Sequence, residues 1–259
     1  MSDHTPWLLG PGPGAPRPPD PPGRTRPARV FCVAHAGGGA SAFRAWQARA
    51  PAGARIHPVQ LPGRENRMGD PLPDDLTTLA DLALRGLARH LRPPYALFGH
   101  SFGGLLCHAM AHRAPRAGLP APDLLLISAT RPPHLPTDHS PHTLTDDALL
   151  AWVRATHGLD ASVAAHPVLL ARLLHTLRAD LRLAAAYRPP EEPLSLPLRV
   201  LGTHGDPVVP PDCLPHWRRY TRAEFSLDLR DGDHFSLYRA PPEPLLRAID
   251  SLHTMSIRR

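Results

Sequence analysis

Ser101 stands at the centre of Gly99-His100-Ser101-Phe102-Gly103, a run that fits the G-x-S-x-G pattern. The spacing has a mechanical basis. A serine on a sharp strand-to-helix turn sits in strained backbone, and small flanking residues remove the side chains that would collide with neighbouring elements. The hydroxyl is then held at the N-terminus of a helix, whose dipole favours developing negative charge. The flanks suit this: Tyr95-Ala96-Leu97-Phe98 reads as an apolar strand, and residues 105–114 as a helix free of Gly and Pro. A serine nucleophile needs a base and a group to orient that base, and in this arrangement they follow in the order Ser, acid, His. Residues 198–202 read as a buried strand, and Thr203-His204-Gly205-Asp206-Pro207 is the turn that leaves it. Asp206 is therefore the candidate acid, with Asp212 the nearest competitor. Residues 225–229 alternate as a further strand, and His234 lies on the loop after it, which makes it the candidate base among 17 histidines.

Acyl transfer at such a serine also needs two backbone N–H groups for the oxyanion. One comes from the residue after the nucleophile, Phe102, and one from a loop after an early strand. Residues 29–34 form that strand, and His35-Ala36-Gly37-Gly38-Gly39-Ala40 the loop. A phosphate-binding loop is the alternative reading of three consecutive glycines. The G-x-x-x-x-G-K-[ST] spacing is missing and the chain contains no lysine, which argues against it.

His35-Ala36-Gly37-Gly38, Gln60-Leu61-Pro62-Gly63-Arg64-Glu65, the Ser101 motif, Leu177-Arg178-Ala179-Asp180 and Gly232-Asp233-His234-Phe235 occur in this order. Together they resemble a type II thioesterase, a free-standing α/β-hydrolase that works beside modular polyketide and nonribosomal peptide synthases. The match spans roughly residues 29–250. The resemblance implies hydrolysis of acyl thioesters on the phosphopantetheine arm of acyl or peptidyl carrier protein domains, clearing stalled or misprimed chains. It implies Ser101 as nucleophile, Asp206 as orienting acid, His234 as base, and Ala36 and Phe102 as oxyanion donors, with Gly37 the alternative to Ala36. It implies no cofactor of the enzyme's own, because the phosphopantetheine belongs to the partner. There is one departure. The family usually keeps an acidic residue shortly before the tyrosine matching Tyr187, where this chain has Leu183-Ala184-Ala185-Ala186; this bears on packing rather than chemistry. Rival readings are a general carboxylesterase acting on small oxygen esters, a catalytically silent scaffold that only binds, and a thioesterase domain that releases full-length product.

The elements that must position these groups follow an alternating order of strands and helices. Residues 56–60 and 123–128 read as strands and residues 77–91 as an amphipathic helix, which indicates a mostly parallel sheet with helices on both faces, the α/β-hydrolase class. Residues 131–188 break the alternation: 144–157 and 167–187 are helical with no strand between them. An insertion before the acid reads as a helical lid, entered through Pro132, Pro133, Pro136 and Pro141. Leu169, Leu170, Leu173, Leu174 and Leu177 give it an apolar stripe, either core packing or acyl pocket. Residues 1–28 hold nine prolines and four glycines and are expected to be a disordered tail before the domain at 29–259. Trp7-Leu8-Leu9 is that tail's candidate anchor, and residues 1 to about 25 are expected to be dispensable.

Composition narrows the partners. Length and 42% hydrophobic content suit one globular domain. The net charge of +6 comes from dispersed arginines with only 5% aromatic residues, which does not resemble a nucleic-acid surface and suits an acidic protein partner better. Cys32, Cys107 and Cys213 are too few and scattered for a disulfide framework or a zinc site. His108 and His112 share a helix face without an evident third ligand, so no metal is expected. The sequence shows neither a secretory leader nor an apolar run of membrane-spanning length, and a reduced, cytoplasmic setting is the expectation. Oligomeric state leaves no trace in the sequence.

Overall fold

Strand β1 (Ala28–Val33) is buried along nearly its whole length and is flanked by two parallel neighbours, β2 (Ala54–Pro58) and β3 (Tyr95–His100). The computed structural model describes residues 5–10, 27–51, 53–136, 140–156 and 165–239. Beyond β3 the sheet continues through β4 (Leu124–Ser128), β5 (Leu198–Thr203) and β6 (Phe225–Arg230) in the order β2-β1-β3-β4-β5-β6, with every pairing parallel. Parallel strands require crossovers, and helices supply them. They are α1 (Arg44–Ala48), α2 (Leu76–Leu87) and α3 (Phe102–Arg116). A ten-residue 3-10 helix, Pro211–Tyr220, joins β5 to β6.

A sheet covered on both faces has apolar residues on both sides of its strands. In β3, Tyr95 and Leu97 join one core with α2, α3 and Trp217 of the 3-10 helix, while Ala96 and Phe98 join the other with Phe43 and Trp46. Helix α2 begins where the Asp75 carboxylate accepts the Thr78 N–H (2.8 Å), a satisfied N-cap. The fold class is the one expected, with element boundaries shifted by a few residues.

Between β4 and β5 lie α4 (Asp146–Ala155) and α5 (Pro167–Ala186). Thr145 caps α4 by accepting the Ala148 N–H, and Pro167 opens α5. The two helices pack through Leu149 and Val153 against Leu174 and Leu177. The leucine stripe is therefore divided: Leu174 and Leu177 are core, whereas Leu169 is 43% exposed. Residues 137–139 and 157–164 of the expected insertion lie outside the described residues.

The expectation of an unordered tail over residues 1–28 needs correction. Residues 5–10 dock on the edge of the sheet beyond β2: Leu8 bridges Val59 antiparallel, the Leu9 N–H donates to the Pro58 carbonyl (3.0 Å) and the Gln60 N–H to the Trp7 carbonyl (2.8 Å). Trp7 is 8% exposed and lies under the Arg67 guanidinium at 4.1 Å, a cation–π contact. The short segment covers an otherwise open strand edge. The rest of the expected tail, residues 1–4 and 11–26, lies outside the described residues; Pro27 and Ala28 already lead into and form β1.

Trp7→Ala is expected to cost about 3 kcal/mol, the usual scale for truncating a buried aromatic, and deletion of residues 1–10 to cost at least as much. Chemical denaturation of each variant checks this. An unchanged midpoint would return the segment to the status of a dispensable tail.

Candidate active site

Ser101 occupies the turn between β3 and α3 at φ 54°, ψ −119°, a left-handed region that a residue with a Cβ rarely adopts. Neighbouring backbone fixes it there. The Ser101 N–H donates to the Ser128 carbonyl (2.8 Å), and the Ser101 carbonyl accepts from the Gly104 N–H and the Thr130 hydroxyl (both 2.9 Å). Gly99 and Gly103 have no room for a side chain: a Cβ on Gly99 would collide with the Gly103 carbonyl, and one on Gly103 with the Val33 and Ala34 carbonyls. The motif's glycines are thus demanded by β1, β3 and α3 meeting at van der Waals distance.

Asp206 and His234 come together because the loops after β5 and β6 are stitched to each other. The His204 N–H donates to the Arg230 carbonyl (2.8 Å), the Gly205 N–H to the Gly232 carbonyl (3.1 Å) and the Thr203 hydroxyl to the Asp233 carbonyl (3.2 Å). The Asp206 carboxylate divides its work between its two oxygens. Oδ1 accepts the Val208 and Val209 N–H groups (2.8 and 2.9 Å), and Oδ2 accepts from His234 Nδ1 (2.8 Å). Both side chains are almost completely buried. A carboxylate only accepts, so the proton of the neutral imidazole sits on Nδ1 and Nε2 keeps a free lone pair. Asp212, the competing acid, is exposed at the start of the 3-10 helix, with no bond to His234 among the described residues.

The His234 ring lies 5.0 Å from the ring of His100 and 4.9 Å from that of Phe235. Since His100 immediately precedes Ser101, this contact brings the β6 loop against the nucleophile turn. His35 and His100 are both held neutral, His35 at a pKa of about 3, first by burial and then by the charge on neighbouring groups. His100 against the His234 ring, and His35 behind it, add no fixed positive charge there.

The loop of residues 35–40 is restrained from three directions. His35 Nδ1 hydrogen-bonds with the Tyr238 hydroxyl (2.8 Å). Gly37 N–H donates to Asp180 Oδ2 (2.8 Å), and Asp180 in turn receives both ends of the Arg64 guanidinium (2.7 and 3.0 Å), a bidentate pair with both residues buried. Arg64 also reaches the carbonyls of Pro62 and Gly38 (3.0 and 3.3 Å). Gln60 accepts the Ala40 N–H (2.9 Å) and donates to the Arg64 carbonyl (2.9 Å). Gln60, Arg64 and Asp180 stand in the sequence motifs without any evident task; here they are the scaffold of this loop. Because Asp180 takes the Gly37 N–H, Gly37 is engaged elsewhere. Among the described residues, no acceptor receives the Ala36 or the Phe102 N–H.

Other reactive side chains lie outside this arrangement. Burial pushes the thiols of Cys32, Cys107 and Cys213 up, so none is a poised thiolate. His108 and His112 meet edge to face with ring centroids 4.7 Å apart, and His108 Nδ1 hydrogen-bonds with the Tyr187 hydroxyl (2.9 Å). Tyr187 thereby finds its partner on α3. Among the described residues no group of three His, Cys, Asp or Glu could hold a metal ion, and no helix is long and apolar enough to cross a membrane.

Known proteins share this arrangement of the chain. The thioesterase domain family matches residues 28–252. The linear gramicidin dehydrogenase LgrE of Brevibacillus parabrevis is 34% identical over 86% of this chain and 86% of its own length. RedJ, a thioesterase of prodiginine biosynthesis in Streptomyces coelicolor, is 35% identical with a TM-score of 0.77, covering 91% of this chain and 96% of RedJ. BorB, a type II thioesterase from the borrelidin cluster, is 30% identical with a TM-score of 0.80, covering 97% of this chain and all of BorB. The name of the first relative denotes a redox enzyme; the family and the two structures are those of thioesterases.

Asp180→Ala leaves Arg64 buried without a counter-charge and Gly37 without an acceptor. A loss of about 3–5 kcal/mol is expected, together with slower turnover in the folded fraction, measured by thermal unfolding and by single-turnover hydrolysis. A variant of wild-type stability and rate would show that the pair does not hold the loop.

Proposed function

The chain belongs to the thioesterase family of the α/β-hydrolase fold, and we propose that it hydrolyses acyl thioesters carried on the phosphopantetheine arm of acyl or peptidyl carrier domains, editing modular polyketide or nonribosomal peptide synthases. The observation that carries the chemistry is the buried Asp206–His234 hydrogen bond beside a serine in strained left-handed backbone. Similarity to type II thioesterases supports the choice of substrate.

In this mechanism His234 Nε2 takes the Ser101 proton as the hydroxyl oxygen attacks the thioester carbonyl. The Ala36 and Phe102 N–H groups receive the oxyanion. The tetrahedral species collapses by breaking the carbon–sulfur bond, and the thiol leaves on the carrier's arm with the proton returned through His234. A thiolate is a good leaving group, so this step asks little of the acid. Water then attacks the acyl-enzyme, giving its proton to His234, and collapse restores Ser101 and releases the carboxylic acid. Asp206 holds the imidazole tautomer throughout and stabilises the imidazolium. The reading routes no step through a metal or a resident cofactor, and it places the enzyme in the reduced cytoplasm with its synthase.

Ser101→Ala should lower hydrolysis on the order of 10⁴-fold or more while leaving the fold intact. Asp206→Asn should lower it about as steeply, because an amide favours the wrong tautomer, and Asp212→Asn should leave it near the wild-type rate. The assay compares one acyl group on a loaded carrier domain, on free pantetheine and as a small oxygen ester. Faster turnover of the oxygen ester than of either thioester would make the protein a carboxylesterase, and full activity in Ser101→Ala would remove the nucleophile.

A further inference from the structure

The outer face of α5 borders an open cleft of about 950 Å³, whose far wall is the segment around Gly63, Met68 and Leu72. Three arginines contribute to its polar lining. Arg172, His175, Arg178 and Arg182 recur along one side of the helix, at the three-to-four-residue spacing that aligns side chains on one face. Arg178 is engaged by Asp146 and by the His142 and Leu144 carbonyls. Arg172 and Arg182 are exposed and make no ion pair among the described residues. The acid in the cleft, Asp70, is taken by Arg67 (2.7 Å). The start of the same helix is unusual in another way. Val168 is 70% exposed and Leu169 43%, and Leu144, whose carbonyl Arg178 binds, is 36% exposed. Among the described residues, three of the four large hydrophobic side chains left exposed thus belong to this helical insertion, and Val168 lines the cleft itself. Apolar contacts interrupted by unpaired arginines are the composition of a protein interface rather than of an ordinary solvated face.

From these residues we infer that α5 and its cleft form the docking surface for the carrier domain, and that the partner face is an acidic helix with apolar residues between its carboxylates. The inference rests on the thioesterase reading given above. Three features favour this occupant. The first is charge: Arg172 and Arg182 have no counter-charge among the described residues, and the chain as a whole is +6. The second is size, since a 20-residue helix spans about 30 Å, roughly the diameter of a small domain. The third is position. On adjacent residues of α5, Thr176 faces the cleft and donates to the Gly63 carbonyl (3.0 Å), while Leu177 lies 3.2 Å from where a Cβ on Gly37 would stand. One turn further, Asp180 binds Gly37 itself. A domain seated here is one helix away from the loop of residues 35–40.

The test is the double variant Arg172→Glu/Arg182→Glu, with Arg85→Glu/Arg89→Glu, two exposed arginines outside the cleft lining at the end of α2 and in the turn after it, as an equal change of net charge. Both are assayed on acetyl-loaded carrier domain, acetyl-phosphopantetheine and acetyl-pantetheine. Electrostatic steering spans 10- to 10³-fold in association rate, so kcat/KM for the loaded carrier domain should fall on the order of tenfold in the first variant only, and should lose much of its dependence on salt. Both small thioesters should keep the wild-type rate. An equal loss on all three substrates, or no loss on any, overturns the docking surface while leaving the thioesterase reading intact. A full loss on acetyl-phosphopantetheine would assign the cleft to the phosphodiester and overturn docking of the protein face. Wild-type enzyme inert on every thioester would instead remove the reading beneath it.

Discussion

Everything in this site is arranged around one strained residue. Ser101 carries a Cβ at φ 54°, a conformation that costs of order 1–3 kcal/mol and persists only where the surroundings over-determine it. The surroundings do so through the sheet. Ser128 at the end of β4 and Thr130 just beyond it bind the Ser101 backbone, and β1 approaches so closely that Gly103 can carry no side chain. Three adjacent parallel strands must therefore be in register before the turn can exist, and the sheet order β2-β1-β3-β4-β5-β6 puts β3 between the other two. The same parallel register brings the carboxyl ends of β1, β5 and β6 to the same edge as β3, where ligand sites of open α/β sheets gather.

What the sheet cannot specify is the path of the 35–40 loop, which leaves β1 with few side chains to pin it. Long-range polar contacts do that instead. Tyr238 comes from beyond His234, Arg64 from the loop after β2, and Asp180 from the helical insertion. A buried bidentate ion pair adds little net stability compared with an apolar pair of the same shape, but losing one partner is costly. Its value here is geometric: it commits the Gly37 N–H to the Asp180 carboxylate on α5. The insertion is thus joined covalently to the core strands and by hydrogen bonds to the 35–40 loop. Motion of α5 cannot leave that loop untouched.

The candidate residues stand out in the sequence because each follows an apolar strand and is flanked by turn formers. Gly99 and Gly103 bracket Ser101, Gly205 and Pro207 bracket Asp206, and Gly232 precedes His234. Local pattern carries such information. It carries none about pairs distant in the chain. Arg64 and Asp180 are 116 residues apart, and His35 and Tyr238 are 203 apart, so no spacing could join them. A signal did exist in Asp180, an acid set among leucines in an otherwise basic helix. Trp7 was obscured by its neighbours: nine prolines and four glycines in 28 residues describe a chain that cannot pack on itself, yet six of those residues need only an open strand edge and one aromatic pocket. Similarly, the leucines of α5 share one period, and only the position of α4 decides which of them are core.

The claim on which the account stands is that Ser101 is the residue this architecture activates. The direct measurement is peptide mapping by mass spectrometry after reaction of the intact protein with a fluorophosphonate. The account expects one adduct, on the peptide and at the side chain of Ser101, formed rapidly in the wild type and far more slowly in Asp206→Asn. Labelling at another residue, or no labelling of folded protein, would contradict it.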